Sequence, residues 1–342
     1  RYTDERTGKR VAIYDADLAA LREKERQIAR EMDDGFVTDR AAKKLTVNAL
    51  FERYIESKKL ADSTRSNYIA TWNNRLRAEL GGMKVVQVRP SHIRLFYSRL
   101  TKDGYSHSTI KLIHNLLYPS FEMAVDDDII RKNPAKDALG DNGEPAKEKM
   151  ALTPSQQNRL LSFVERSSVY NVYLPMLQIM IGTGCRCGEL IGLTWADVDM
   201  EKKEVSISCQ LIYKNYGDGY KFHVSTPKTD AGIRKIPMSE TVYTAFAAQK
   251  RQNFLQRIPR NVEIEGRTDF IFMSKNGRPL MPSAVNNVLY NIVAAYNKQE
   301  TEQAKKEKRE AEYSPSISAH TLRHTRSTRM AEQGPHMTVW TD

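Results

Sequence analysis

The chain has little cysteine, no long apolar run and fewer acidic than basic residues. Its 342 residues include three cysteines, Cys185, Cys187 and Cys209. That is too few, and too odd a number, to staple a secreted fold, so a reducing cytoplasm fits. Cys185-x-Cys187 lacks the spacing of a zinc pair, and Arg186 between them would repel a cation, so no metal is expected there. No stretch is long and apolar enough to span a membrane and no signal peptide is recognisable, so no membrane partner is expected. There is no P-loop and no carboxylate cluster with metal-ligand spacing, so no cofactor is expected. No internal repeat or low-complexity tract suggests a solenoid. The chain opens on Arg1 rather than Met, which reads as a fragment or a processed product.

Hydrophobic residues make up 40% of the chain, enough for packed cores, and 342 residues exceed one ordinary core, so two domains or more are expected. Charged residues reach 28% with a formal net charge of +11, which suits a polyanionic partner. A merely soluble basic protein would share that charge.

Residues 1–44 read as an entry arm. Asp15 is placed to cap a helix carrying Leu18, Leu21 and Ile28, a stripe too thin to fold a core alone. Residues 45–138 are helical in pattern. Leu50, Tyr54 and Ile55 mark a first helix, and Tyr68, Trp72 and Leu76 a second, capped by Ser63. Ile93, Phe96, Tyr97 and Leu100 mark a third, opened by Pro90, and Ile110, Ile113, Leu116, Leu117 and Phe121 a fourth, opened by Ser108. The other face of that fourth helix carries Ser108, Lys111 and Asn115, types that reach phosphates and base edges, although a solvated face looks the same. Residues 139–150 read as a linker.

Over residues 151–342 a second domain follows. Thr153-Pro154-Ser155-Gln156 is a capping box with proline at the first helical position. Leu174 to Ile181 is apolar nearly all round, hence a buried helix, which Gly182-Thr183-Gly184 breaks before a new helix near Arg186. Residues 204–213, 220–225 and 233–237 carry strand patterns and form one small antiparallel sheet. Gln299 to Glu312 is charged and apolar-poor, an exposed helix or a mobile insert. Ser318 caps the helix that follows. The expected fold class is mainly α with a small antiparallel β-sheet (α+β).

Two strings carry the chemistry. In Gly182-Thr183-Gly184-Cys185-Arg186-Cys187-Gly188-Glu189-Leu190, Arg186 and Glu189 are three apart, so the carboxylate can hold the guanidinium. A bare pair of that kind is also an ordinary surface ion pair, worth about 0.5 kcal/mol when exposed. In His320-Thr321-Leu322-Arg323-His324-Thr325, His320 and Arg323 project from one helical face while Leu322 packs inward, and His324 points elsewhere in a structural role. Arginine offers phosphate oxygens a planar fork that stays charged at any working pH. Lys228, in Thr226-Pro227-Lys228-Thr229, sits in the turn between the second and third strands, where a lysine is usually a solvated charge.

These strings resemble the two arginine boxes of the tyrosine recombinases, the phage-integrase family. Tyr2 to Arg10 and Asp126-Asp127-Asp128-Ile129-Ile130-Arg131-Lys132-Asn133-Pro134 resemble, more narrowly, integrases of conjugative transposons. The resemblance implies a helical core-binding domain and a catalytic domain forming a clamp on duplex DNA, with residues 1–44 as the end of an arm-binding region. It implies Arg186, Lys228, His320 and Arg323 as catalytic, with Glu189 supporting. Ser108, Lys111 and Asn115 become DNA-binding candidates. The implied partners are element ends and target DNA, other subunits as a dimer to tetramer, and an excision accessory protein, in a bacterial nucleoid. The family's Leu-Gly-His box and nucleophilic tyrosine are not found after Arg323; Tyr313 precedes it, and His336 and Trp340 stay unassigned. The nucleophile is therefore expected to be none of this chain's tyrosines, and the chain alone is expected to bind DNA without cutting it. Two rivals share these features: a non-catalytic sequence-specific DNA-binding protein and a type IB topoisomerase-like enzyme. A metal-dependent nuclease fits poorly.

Overall fold

The computed structural model describes residues 2–3, 10–33, 44–145, 151–227, 232–259 and 261–332. The chain divides into two compact units, Arg1–Lys147 and Glu148–Asp342. Both are mainly helical, with short antiparallel strands.

In the first unit, strands β1 (Tyr2–Thr3) and β2 (Arg10–Val11) pair antiparallel ahead of helix α1 (Leu18–Asp33). Asp17, not Asp15, caps α1, because a cap must directly precede the first helical residue to reach its amides. Its carboxylate accepts from the Ala19 amide at 3.2 Å, while Asp15 accepts from Lys24 Nζ at 2.5 Å. Helix α2 (Val47–Ser57) is followed by α3 (Asp62–Thr71), which continues with π-helical turns over Trp72–Gly81. Then come α4 (Pro90–Lys102) and α5 (His107–Asp126). The apolar periodicity of these helices becomes one core in which Leu50, Trp72, Leu76, Ile93, Phe96, Ile113 and Phe121 are buried. Trp72 stacks on Phe51 with ring centroids 4.0 Å apart, and its indole N–H donates to Asn48 Oδ1 at 2.8 Å, so the ring is buried without an orphaned donor. Two expected caps move. Helix α3 starts at Asp62 after Ala61, which leaves Ser63 inside the first turn. Ser106, with extended backbone, caps α5 in place of Ser108 by accepting from the Thr109 amide.

The second unit opens with α6 (Pro154–Arg166). Thr153 Oγ1 accepts from the Gln156 amide at 3.2 Å and Gln156 Oε1 from the Thr153 amide at 2.9 Å, a reciprocal capping box. Helices α7 (Leu174–Thr183) and α8 (Cys187–Gly192) follow, on either side of the glycine break. The strands form two small sheets rather than one. Strands β3 (Val198–Asp199), β4 (Glu204–Ile207) and β7 (Arg234–Pro237) make one, in the order β3-β4-β7. Strands β5 (Gln210–Asn215) and β6 (Tyr220–Ser225) make a separate hairpin. The β-branched run is continuous in sequence, but Ser208 and Cys209 leave the ladder and divide it.

Helices α9 (Glu240–Gln256), α10 (Pro282–Glu307) and α11 (Ala319–Glu332) complete the unit. Of the charged segment, 299–307 forms the last turns of α10, the exposed-helix alternative, except that Glu300 and Ala304 are buried. Glu300 receives Arg309 and the Glu312 amide at 2.9 Å, and Tyr296 donates its hydroxyl to the Glu312 carbonyl at 3.0 Å. The inward face carries a paired carboxylate instead of an apolar side chain, which hides it from a hydrophobicity pattern.

Candidate functional site

Three local devices in the second unit bring distant residues together. The first is the break after α7. Gly184 ends that helix at φ +63°, and a Cβ there would meet Arg326 Cγ at 3.1 Å. Glycine therefore allows both the turn and the close passage of α11. The second device is the start of α11. Ser318 Oγ accepts from the Thr321 amide at 3.2 Å, the Ala319 amide donates to Asn286 Oδ1 at 3.0 Å, and Thr325 Oγ1 accepts from the Leu152 amide at 3.0 Å. Leu322 packs inward at 1% exposure, a burial worth about 2 kcal/mol. Arg323 then faces Gly184, and its Nη1 donates to the Gly184 carbonyl at 2.6 Å across 139 positions of sequence.

The third device surrounds Glu189. Arg186 precedes α8 with extended backbone, and Glu189 Oε2 accepts from its amide at 2.9 Å. Glu189 Oε1 accepts from Arg186 Nη1 at 2.7 Å. Arg234, from β7, donates Nη2 to Glu189 Oε2 at 2.8 Å. The carboxylate is 2% exposed and the Arg186 side chain 52%, so the arginine's outer edge is free to face a ligand while the acid lies beneath it. Burial would raise the Glu189 carboxyl, but hydrogen bonds from Arg234 and Arg186 outweigh it and hold the group below its ordinary value of 4.5. Burial, repulsion from Arg186 and, less strongly, repulsion from Arg234 lower the Arg323 guanidinium from its usual range, with Glu189 opposing. The three arginines therefore share one electrostatic neighbourhood with one buried acid. A cavity of about 500 Å³ opens beside Arg234 and Arg323, lined also by Gly184, Lys235 and Arg326 among others.

The depressed Glu189 carboxyl has a consequence for stability. Its contribution is fully present above about pH 4.5 and is lost as pH falls through the lower, folded-state value. Thermal melting of wild type and Glu189→Gln between pH 6 and pH 3 should show the wild-type advantage shrinking below that point. A constant gap would mean that Glu189 is not held ionised by its arginines.

His320 is exposed on α11, one turn before Arg323. His324 does not point elsewhere: residues four apart stack on one helical face. Its Nε2 lies 2.9 Å from His320 Nε2, and the rings are 4.4 Å apart and nearly perpendicular. One nitrogen must donate and the other accept, so the tautomers of the two histidines are linked. Lys228 lies outside the described residues, as do His336 and Trp340. Ser108, Lys111 and Asn115 are all exposed along one face of α5, in the other unit. Tyr313 is exposed, and its hydroxyl accepts from Thr301 Oγ1 at 3.3 Å.

Burial pushes the Cys185 thiol up to about 11 and the Cys187 thiol up to about 12, so both stay protonated at neutral pH. Among the described residues no three His, Cys, Asp or Glu side chains converge as a metal-ligand set would. Arg234 belongs to this site although neither sequence string contains it. Strand alternation places it on the same face as Ile236, which packs against the core, and an arginine on an inward face calls for a buried acid partner.

Residues 150–340 match the phage integrase family. The transposase from transposon Tn916 of Enterococcus faecalis is 31% identical over 330 residues, covering 95% of this chain and 76% of the relative. A XerC-like tyrosine recombinase of Caldanaerobacter subterraneus subsp. tengcongensis is 25% identical over 294 residues, 83% of this chain and 71% of the relative. Among solved structures, the Tn1549 transposon integrase in complex with a circular intermediate DNA superposes with a TM-score of 0.73 at 30% identity, covering 85% of this chain and 88% of that one. A lambda integrase dimer bound to a core site shares the fold, with a TM-score of 0.57 at 17% identity over 97% of this chain and 85% of that one.

Proposed function

The chain belongs to the phage integrase family, the tyrosine recombinases, and on that premise we propose that it integrates and excises a mobile element by cutting and rejoining DNA through a 3′-phosphotyrosyl intermediate. The observation that carries this reading is the convergence of Arg186 and Arg323, one supported by Glu189 and the other seated on the Gly184 carbonyl. Two forks of charged donors suit the non-bridging oxygens of one phosphate and stabilise the crowded transition state formed when it is attacked. His320 hydrogen-bonds that phosphate or accepts the nucleophile's proton. Lys228 protonates the departing 5′ oxygen, a task for which a flexible ammonium is suited. A tyrosine that is none of this chain's own attacks, and the bond energy is kept in the covalent link until a second DNA end reverses it. This covalent route calls for no cofactor. In this proposal residues 45–138 form the core-binding domain, residues 139–150 the linker, and residues 151–342 belong to the catalytic domain. The two domains close on duplex DNA, several subunits together, and the exposed Ser108, Lys111 and Asn115 face of α5 approaches the DNA.

The test is twofold. A phosphotyrosyl adduct on DNA separates a recombinase or topoisomerase from a regulator that only binds, and strand-exchange products then separate the recombinase from the topoisomerase. Binding itself should depend steeply on salt, given a net charge of +11. Each phosphate contact adds roughly 0.9 to the slope of log affinity against log salt. A titration in which affinity ignores salt would contradict the DNA assignment.

A further inference from the structure

We propose that Arg234 is a positioning residue of the phosphate site: it fixes Glu189 and, through it, the direction and net charge of the Arg186 guanidinium. The inference rests on the recombinase reading above. On its own, the pair of Arg186 with Glu189 would be a weak positioning device. The arginine side chain is half exposed, and a carboxylate held only by the amide and side chain of that same residue can shift with it. Such a pair is also close to electrically neutral, which would blunt its pull on a phosphate.

Arg234 changes both properties. Its Nη2 takes Glu189 Oε2 at 2.8 Å, the oxygen opposite the one that Arg186 Nη1 holds at 2.7 Å. With the Arg186 amide also donating to Oε2 at 2.9 Å, the carboxylate is held from three directions and cannot rotate. The second prong of Arg234 is also engaged, with Nη1 donating to the Gly232 carbonyl at 3.0 Å. Gly232 is itself wedged in place, since a Cβ there would come within 2.3 Å of Pro227 Cβ. Arg234 is therefore a fixed fork, anchored in the antiparallel pairing of β7 with β4, where it lies opposite Ile207. In charge, Arg234 offsets the carboxylate, so Arg186 presents its outer edge with its positive charge effectively uncompensated. Arg323, next to both, is lowered by burial and by repulsion from Arg186 and Arg234, as expected where positive charge is concentrated. Arg234 need not touch DNA to do this. It acts through Glu189 on a residue that does.

The experiment uses the full-length protein, a nicked suicide substrate and single-turnover cleavage, with DNA affinity and thermal melting read in parallel. Arg234→Lys keeps a positive charge near Glu189 but loses the two-pronged geometry, and Arg234→Gln removes the charge. Cleavage should fall about 10²-fold in Arg234→Lys and further in Arg234→Gln, with DNA affinity little changed. The discriminating arm replaces the scissile phosphate with a neutral methylphosphonate. Arg186 and its supports then have one less negative charge to neutralise. The defects of Arg234→Gln and Arg186→Ala should both shrink on that substrate, at least tenfold by the logic of charge neutralisation. Wild-type rates in both Arg234 variants would overturn the proposal. So would a defect of the same size on phosphate and methylphosphonate, which marks a purely structural role. Full-length wild-type protein, nucleophilic tyrosine included, that forms no covalent adduct with either substrate would overturn the recombinase reading and this inference with it. Adduct formation by wild type together with unimpaired Arg234 variants would overturn the inference alone.

Discussion

Arg186→Lys and Arg323→Lys should each lower DNA cleavage by the full-length protein about 10³-fold or more while sparing binding. Lysine keeps the charge, so long-range attraction to DNA persists. What it loses is the planar fork. At Arg323 one prong is already used on the Gly184 carbonyl at 2.6 Å, which orients the rest of the guanidinium. An ammonium that turned to the same carbonyl would offer no fixed second donor to a phosphate. At Arg186 the contact with Glu189 at 2.7 Å does the same orienting work from the other side. Single-turnover cleavage of a nicked suicide substrate, beside a binding titration, checks both variants. A variant that cuts at the normal rate is misassigned.

Lys228→Ala should slow cleavage of ordinary DNA about 10²-fold or more, the usual size of a general-acid contribution. Without an acid, the 5′ oxygen leaves as an alkoxide. A substrate with sulfur at that bridging position has a far better leaving group and hardly needs the proton. Cleavage of the sulfur substrate by Lys228→Ala should therefore approach the wild-type rate. Equal slowing on both substrates would remove Lys228 from the acid role and leave it as a charge on the turn.

The apolar periodicity of the first unit was legible in the chain because burial there is apolar and helical. Leu50, Trp72, Ile93 and Phe121 each pack where their spacing places them. The breaks and caps at Gly184, Thr153 and Ser318 were legible for a similar reason, since each solves a local backbone problem that few residue types can solve. Long-range polar partnerships were not legible. Arg234 meets Glu189 across 45 positions, and strand alternation only places the arginine on an inward face without naming the acid it meets. Glu300, buried under Arg309, was hidden because a paired inward carboxylate looks like a solvated one in sequence. His324 could have been read correctly, since four-residue spacing on a helix puts it beside His320. The division of the strands into two sheets depends on where the chain leaves the ladder at Ser208 and Cys209, and no glycine, proline, asparagine or aspartate marks that point.

In the proposed reaction a tyrosine, on a phosphate held by Arg186, His320 and Arg323, becomes joined to the 3′ end of the cut strand. Denaturing electrophoresis of full-length protein on end-labelled core-site DNA in the presence of chelator tests it most directly. The 5′-labelled fragment should migrate joined to protein through tyrosine, while the other fragment is released with a free 5′ hydroxyl. DNA cut without attached protein, ending in a 5′ phosphate, or cut only when divalent metal is restored, would contradict it.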